Sequence, residues 1–368
     1  MYLNDIYDQE ELNSAIFEGF VYINSFNGVE QLNYSKTAQH TRGAFDNPAV
    51  TASRGIVYNR FGKIIALPFP KFFNHSQPEA PVIPYDEEVF VTDKADGSLG
   101  ILYMSPSGRP RVTTRGSLKS DIGEHATEVM MSRYDGFAES QADGEYTFMF
   151  EIVYPENRIV LDYGDMDDLI LIAARSRVTG LYVPITQDFA DRHGWLGPVV
   201  ENMGWMTYEQ ALELPDRDNR EGVVIYRGQK NAAEEACLTD LVKIKQARYL
   251  EIHKLVTGLT PKSIWRMMMD DNDLSDILLD TPDEFHDWVS DVWNSIMNEV
   301  HEMYLRCVDT FNVTTEALPD DYTQKDFAMK VREVTSPYRE GAFIIQNSDD
   351  YGSRLYKFCL SHCKPEVE

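Results

Sequence analysis

The chain has 368 residues, 43% of them hydrophobic and 12% aromatic, which excludes a disordered polypeptide and is enough for two domains. A net charge of −26 weighs against sequence-independent adhesion to nucleic acid, which relies on a positive field and released counterions. It leaves room for a basic groove, because a site feels charges within roughly 8–10 Å. No apolar run approaches the roughly 18–20 residues needed to span a bilayer, and the first residues show no secretory signal. Four cysteines (Cys237, Cys307, Cys359 and Cys363) read as free thiols of a reducing, cytoplasmic setting. Cys359 and Cys363 flank His362, but without a second ligand pair unremarkable thiols are the better reading.

In chain order, Asp8 to Phe20 predicts a helix, and Phe20–Phe26, Gly55–Tyr58 and Lys63–Leu67 predict strands. The proline-limited segment Pro68-Phe-Pro-Lys-Phe-Phe-Asn-His cannot continue a strand inside a sheet. Strands follow at 87–93, 99–105, 111–115, 145–153, 158–162, 169–175, 222–227 and 240–245, interrupted by helices at Ile122–Arg133 and Thr186–His193. This is an α+β domain on antiparallel sheets. Beyond Gln246, helical spacing governs Ala247–Val256, Pro261–Met269, Thr281–Thr310 and Lys325–Thr335. The expected division is therefore residues 1–254 and an all-α domain of residues 255–368. Asp270-Asp-Asn-Asp-Leu-Ser-Asp lacks the EF-hand glycine and glutamate and reads as a solvated acidic connection.

Lys94, in Asp93-Lys-Ala-Asp-Gly-Ser-Leu-Gly, sits at the lip of a hairpin, either as a solvated lysine or as one placed for chemistry. In Leu241-Val-Lys-Ile-Lys, Lys243 and Lys245 share one strand face, roughly 7 Å apart. An anion between them would relieve their repulsion; the bland alternative is an edge strand guarded by lysines. Glu151 lies in the apolar strand Phe148-Met-Phe-Glu-Ile-Val-Tyr, and Glu221 opens another at Glu221-Gly-Val-Val-Ile-Tyr. A buried carboxylate is costly unless paired or metal-bound. A salt bridge would explain each acid; together with the lysines they suggest one pocket for phosphates, hydroxyls and a divalent cation.

The order Lys94-Ala-Asp-Gly, Phe150-Glu-Ile-Val, Glu221-Gly-Val-Val and Lys243-Ile-Lys resembles motifs I, III, IV and V of the covalent nucleotidyltransferases. These comprise the ATP-dependent DNA and RNA ligases and the mRNA capping enzymes. Ser53-Arg-Gly-Ile, Pro70-Lys-Phe-Phe-Asn, Arg115-Gly-Ser-Leu-Lys-Ser, Tyr154-Pro-Glu-Asn-Arg-Ile-Val and Tyr249 after the last motif are similar to the phage RNA ligase 1 family.

The resemblance implies an ATP-grasp-like nucleotidyltransferase domain followed by a helical RNA-recognition domain. It implies ATP-dependent joining of RNA 5′-phosphate and 3′-hydroxyl ends through lysyl-AMP and AppRNA intermediates. Lys94 would be the nucleophile, its pKa lowered by Lys243, Lys245 and Mg²⁺ (or Mn²⁺), which would also hold the α-phosphate. Glu221 would hold the metal and Glu151 a ribose hydroxyl. Gly97 would turn the backbone just beyond Lys94, and Asp96 would shape that loop or assist sealing. Arg54, Lys71 and Lys119 would meet phosphates, with surface charge as their alternative; Phe73, Gly222 and Tyr249 would lie near the nucleotide. The implied partner is single-stranded or nicked-loop RNA, such as a cleaved tRNA anticodon loop, bound by a monomer in the cytoplasm of a phage host. A DNA ligase or capping guanylyltransferase is the alternative, disfavoured because those add an OB-fold where this chain has helices. A non-catalytic nucleotide- or RNA-binding relative would suit a chain lacking Lys94 or Glu221; this chain has both.

Overall fold

A computed structural model describes residues 1–157, 159–230, 236–251, 258–279, 285–333, 337–347 and 350–365. It divides into two compact units, Met1–Val256 and Thr257–Glu368. The first unit opens with helix α1 (Gln9–Phe17), whose N-terminal amides are met by Asp8 in a capping box with Glu11. A small antiparallel sheet follows, in the order β1 (Val21–Phe26), β2 (Val29–Tyr34), β3 (Arg54–Asn59) and β4 (Ile64–Ala66). Helices α2 (Lys36–His40) and α3 (Pro48–Ala52) lie between β2 and β3, and Leu12, Leu32, Val50 and Ile56 share the core beneath them. Strand β2 has no sequence expectation because it carries Gln31 and Asn33. Both are buried, and Gln31 Nε2 donates to the Thr114 carbonyl at 2.9 Å.

The large sheet holds β5 (Phe73–Asn74), β6 (Glu88–Asp93), β7 (Ser98–Met104), β8 (Pro110–Thr114), β9 (Tyr146–Val153), β10 (Asp168–Ser176), β11 (Tyr182–Val183), β12 (Asn202–Thr207), β13 (Gly222–Lys230) and β14 (Ala236–Lys245). Their order is β12-β6-β13-β14-β11-β10-β9-β7-β8, antiparallel throughout, with β5 added to β14 in parallel. Helices α4 (Asp121–Arg133), α5 (Asp135–Gln141), α6 (Gln187–Arg192) and α7 (Tyr208–Leu212) lie in the same unit, and residues 247–251 are helical as expected.

Side-chain alternation then places the site. On β9, Phe148, Phe150 and Ile152 pack with residues of α4, α5 and α6, which turns Met149 and Glu151 the other way. Val89 and Val91 of β6, Val223 and Ile225 of β13 and Val242 of β14 share a cluster with α7. Phe90, Val224, Tyr226 and Leu241 instead join Met149 in an inner cluster. Lys94, Lys243, Lys245 and Glu151 continue that inner side of their strands, so the charged groups stand at the end of an apolar sheet face.

One expected strand is absent. Arg158 lies outside the described residues, and Ile159–Asp162 forms an irregular segment. Consecutive Val160 and Leu161 are both buried, against Tyr249, a pattern no half-buried strand allows. Their N–H groups donate to the Asp96 carboxylate instead, at 2.9 Å each.

The second unit is helical: α8 (Pro261–Met269), α9 (Leu274–Leu279), α10 (His286–Glu316), α11 (Gln324–Val331), α12 (Tyr338–Gln346) and α13 (Gly352–His362). Of the expected helices, residues 252–256, 281–284 and 334–335 lie outside the described residues, and α10 runs six residues past the expected Thr310. Phe327, Val331 and Ala342 form part of its core, and Trp265 donates to the Leu360 carbonyl at 2.7 Å. In the acidic connection Asp273 accepts the Asp276 N–H at 2.9 Å, at the start of α9. All four cysteines are free thiols. Among the described residues no helix is long and apolar enough to cross a membrane.

Candidate active site

Lys94 follows the last residue of β6, and its N–H donates to the Gly222 carbonyl at 3.0 Å. Its ammonium donates to Glu221 Oε2 at 2.8 Å. The other oxygen, Oε1, is 2.9 Å from Lys245 Nζ, and Glu221 is 2% exposed. Burial alone would push the Glu221 carboxyl up, but Lys94 and Lys245 hold it below the usual carboxylate range. Burial pulls the Lys94 ammonium down, yet Glu221, Glu151 and the Glu221 hydrogen bond outweigh it, and its pKa lies above the ordinary lysine value. In the chain by itself the acids beside the amine outweigh its burial; the expected lowering involves a bound divalent cation as well as Lys243 and Lys245.

Glu151 lies on β9 opposite Leu99 of β7 and Ile170 of β10. Burial is the main cause that pushes its pKa up to about 7; Lys94 opposes the rise, while Glu221 and Asp96 add to it. Gly97 is needed for room rather than for a turn. A Cβ there would sit 2.5 Å from the Ile152 carbonyl oxygen and 3.2 Å from Glu151 Cγ. At Gly222 a Cβ would overlap the Ile244 carbonyl oxygen. Both glycines let the strands bearing Lys94, Glu151, Glu221 and Lys245 close up.

Asp96 is 5% exposed and fully engaged. Besides the two amides of Val160 and Leu161, its Oδ1 accepts from the Tyr249 hydroxyl at 3.0 Å. The Asp96 N–H donates to the Tyr163 hydroxyl at 2.9 Å. The Tyr249 ring lies 5.2 Å from Lys245 Nζ, a cation–π contact. Lys243 pairs in register with Val224 and Asn74, on the same strand face as Lys245.

A second group gathers around the small sheet. Lys71 is buried, with its ammonium 5.4–5.7 Å from the rings of Tyr34, Phe45 and Phe73. Arg54 lies 5.6 Å from the Phe72 ring, its pKa lowered by burial and by Arg115, against Tyr34 and Glu151. Arg115 covers Tyr34 at 4.6 Å. Lys119 stands apart: it is exposed, and its N–H donates to the Ser117 hydroxyl.

Sequence reading missed Tyr34, Phe45, Tyr163, Arg217 and Arg220. Asp93, beside Lys94, accepts from Arg217 at 2.6 Å and pairs with Arg220 at 3.0 Å. The one local signal was Arg220 directly before Glu221. Among the described residues no three His, Cys, Asp or Glu side chains cluster to hold a metal. The donor available is the hard-oxygen carboxylate of Glu221, which suits a cation that takes one or two protein carboxylates and completes its shell with phosphate and water.

A half-buried lysine bound to a strand-opening glutamate, with a second lysine and a facing glutamate, is the arrangement expected of a nucleotidyltransferase-type site. The RNA ligase family is matched over residues 52–249, more than half of the chain, and the chain belongs to that family. It is 30% identical over 210 residues to RNA ligase 1 of Bacteriophage TS2126, across 50% of this chain and 49% of that one. It is 23% identical over 362 residues to an RNA ligase of Rhodothermus phage RM378, across 80% and 81%. The chain thus spans about half of the first relative and most of the second. Among solved structures it is similar to a putative ATP-dependent DNA ligase from Aquifex aeolicus. There the TM-score is 0.45 and the identity 12%, across 96% of this chain and 76% of that one, a likeness too slight to decide anything.

Proposed function

We propose that this chain is an ATP-dependent RNA ligase that works through a covalent lysyl-AMP intermediate. The observation that carries it is the Lys94–Glu221–Lys245 array, bonded at 2.8 and 2.9 Å, with Glu151 on the same inner face of the sheet. The Lys94 amine attacks the α-phosphate of ATP; an N–P bond forms and the bond to pyrophosphate breaks. An ammonium is no nucleophile, and the ion pair with Glu221 keeps Lys94 protonated. Drawing Glu221 away removes that attraction, after which burial favours the neutral amine. Glu221 would hold Mg²⁺ or Mn²⁺, which when bound supplies positive charge to the phosphates. Lys243 and Lys245 would hold the α-phosphate, and Arg54 and Lys71 other phosphates near Phe73. Glu151 accepts from a ribose hydroxyl. AMP then passes to an RNA 5′-phosphate, and a 3′-hydroxyl attacks that end to seal the strand and release AMP.

Single-stranded or nicked-loop RNA, including cleaved tRNA, is the proposed substrate. The helical unit is proposed to contact it, and the chain is proposed to act as a monomer in the cytoplasm. Lys119, exposed, is proposed to meet a phosphate from outside both of these groups. Incubation with α-labelled ATP and Mg²⁺ tests the reading: the chain should gain a covalent AMP label, and Lys94→Ala should gain none. It should then join 5′-phosphorylated single-stranded RNA in preference to a nicked DNA duplex. A covalent GMP label from GTP in place of AMP would sink the assignment.

A further inference from the structure

We infer that Arg217 and Arg220 form a clamp on Asp93 that positions Lys94 for attack; this rests on the ligase reading above. Asp93 is the residue before the nucleophile, and its side chain is 10% exposed. Arg217 Nη2 donates to Asp93 Oδ1 at 2.6 Å, and Arg220 Nε lies 3.0 Å from Oδ2. Both carboxylate oxygens are thus held by guanidinium groups, a strong and directional arrangement. The same two arginines reach the neighbouring elements. Arg217 Nη2 makes a longer contact, 3.5 Å, to the Gly222 carbonyl, the acceptor that also takes the Lys94 N–H. Its own N–H donates to Gln246 Oε1 at 3.0 Å, and the Gln246 N–H donates to the Glu221 carbonyl at 2.9 Å. Arg220 extends to Glu201 at 3.1 Å, whose carbonyl accepts the Asp93 N–H at 2.8 Å.

The clamp therefore joins the end of β6, the start of β13 and the end of β14. Those three points carry Lys94, Glu221 and Lys245. Arg217 and Arg220 touch none of the reacting atoms, so they are positioning residues. Attack in line on a phosphate is sensitive to placement: a displacement of about 1 Å costs about 100-fold in rate. A strand end that frays by a fraction of a residue would produce that displacement.

The test separates the step that uses the Lys94 amine from the step that does not. Arg217→Ala should slow single-turnover lysyl-AMP formation at saturating ATP by about 100-fold, with KM for ATP changed less than about threefold. Sealing of chemically pre-adenylated RNA, which bypasses attack by Lys94, should stay within about threefold of the unsubstituted chain. Arg217→Lys, which can make one bond to Asp93, should recover part of the loss. Asp93→Asn, nearly isosteric, should show the same pattern more weakly and serves if Arg217→Ala does not fold. Adding Arg217→Ala to Asp93→Asn should cost little more, because both break one unit. Equal losses in both steps, or losses that multiply in the double variant, would overturn the clamp. An Arg217→Ala chain adenylylated at the normal rate would overturn the clamp alone. No adduct on the unsubstituted chain would overturn the ligase reading and the clamp with it.

Discussion

Glu151 shows how one buried side chain reports on the whole site. Its pKa of about 7, against about 4.5 when solvated, means the folded chain binds this proton more tightly than the unfolded chain. A raised carboxyl stabilises the fold in its protonated form, so its contribution is lost as pH rises from about 4.5 through about 7. Glu151→Gln should match the parent in unfolding free energy below pH 4.5 and exceed it increasingly up to pH 7, by an amount on the order of 3 kcal/mol in denaturant titrations. A difference that shrank with pH would contradict the burial argument. The same substitution should weaken adenylylation, since an amide is a poorer acceptor for a ribose hydroxyl. Asp96 makes the opposite case of a fully engaged carboxylate. Asp96→Ala leaves two amides and the Tyr249 hydroxyl without their acceptor and should cost about 3 kcal/mol in denaturant unfolding. Tyr249→Phe, which keeps the ring beside Lys245, should cost about 1 kcal/mol. The reverse ranking would remove Asp96 as the anchor of the 159–163 segment.

At the scale of elements, the site depends on strands that approach more closely than side chains normally permit. Gly97→Ala places a methyl 2.5 Å from the Ile152 carbonyl oxygen, which is backbone and cannot rotate away. The expected result is a loss of about 1–3 kcal/mol together with a fall of about 100-fold in AMP labelling. A chain with normal labelling would show that β7 and β9 can separate without harm. Strands β6, β9, β13 and β14 were legible in the sequence because acids and lysines interrupt apolar alternation, an expense a chain rarely bears without a partner. The segment Ile159–Asp162 was not legible: its apolar run resembles a strand, and only the distant Tyr249 and Asp96 make it an irregular wrap. Arg217 and Arg220 look like surface charge in Asp216-Arg-Asp-Asn-Arg. Folding brings Arg217 to Asp93 across 124 positions. The charge state of Lys94 was hidden for the same reason, since Glu221 lies 127 positions away.

Across the whole molecule, acidity and function are reconciled by local placement. The chain carries 34 lysines and arginines against 60 acids, yet Lys71, Lys94 and Lys245 are drawn into the first unit and shielded by aromatic rings or buried carboxylates. The far field repels a polyanion, while the lysines and arginines of the proposed site would attract a triphosphate within a Debye length. Every residue proposed for adenylylation lies in Met1–Val256, and among the described residues the apolar clusters around them are built from that unit. Residues 1–256 should therefore fold by themselves and accept AMP from ATP at a rate within about threefold of the full chain. None of the residues proposed for that chemistry lies in the helical unit, which is proposed to hold the RNA. Truncation should then depress sealing of pre-adenylated RNA by at least about tenfold, a loss of about 1.4 kcal/mol of binding. Measuring both steps on the shortened chain separates the two roles: equal activity in both would mean that the first unit binds RNA alone, and loss of both would mean that the helices support the pocket itself.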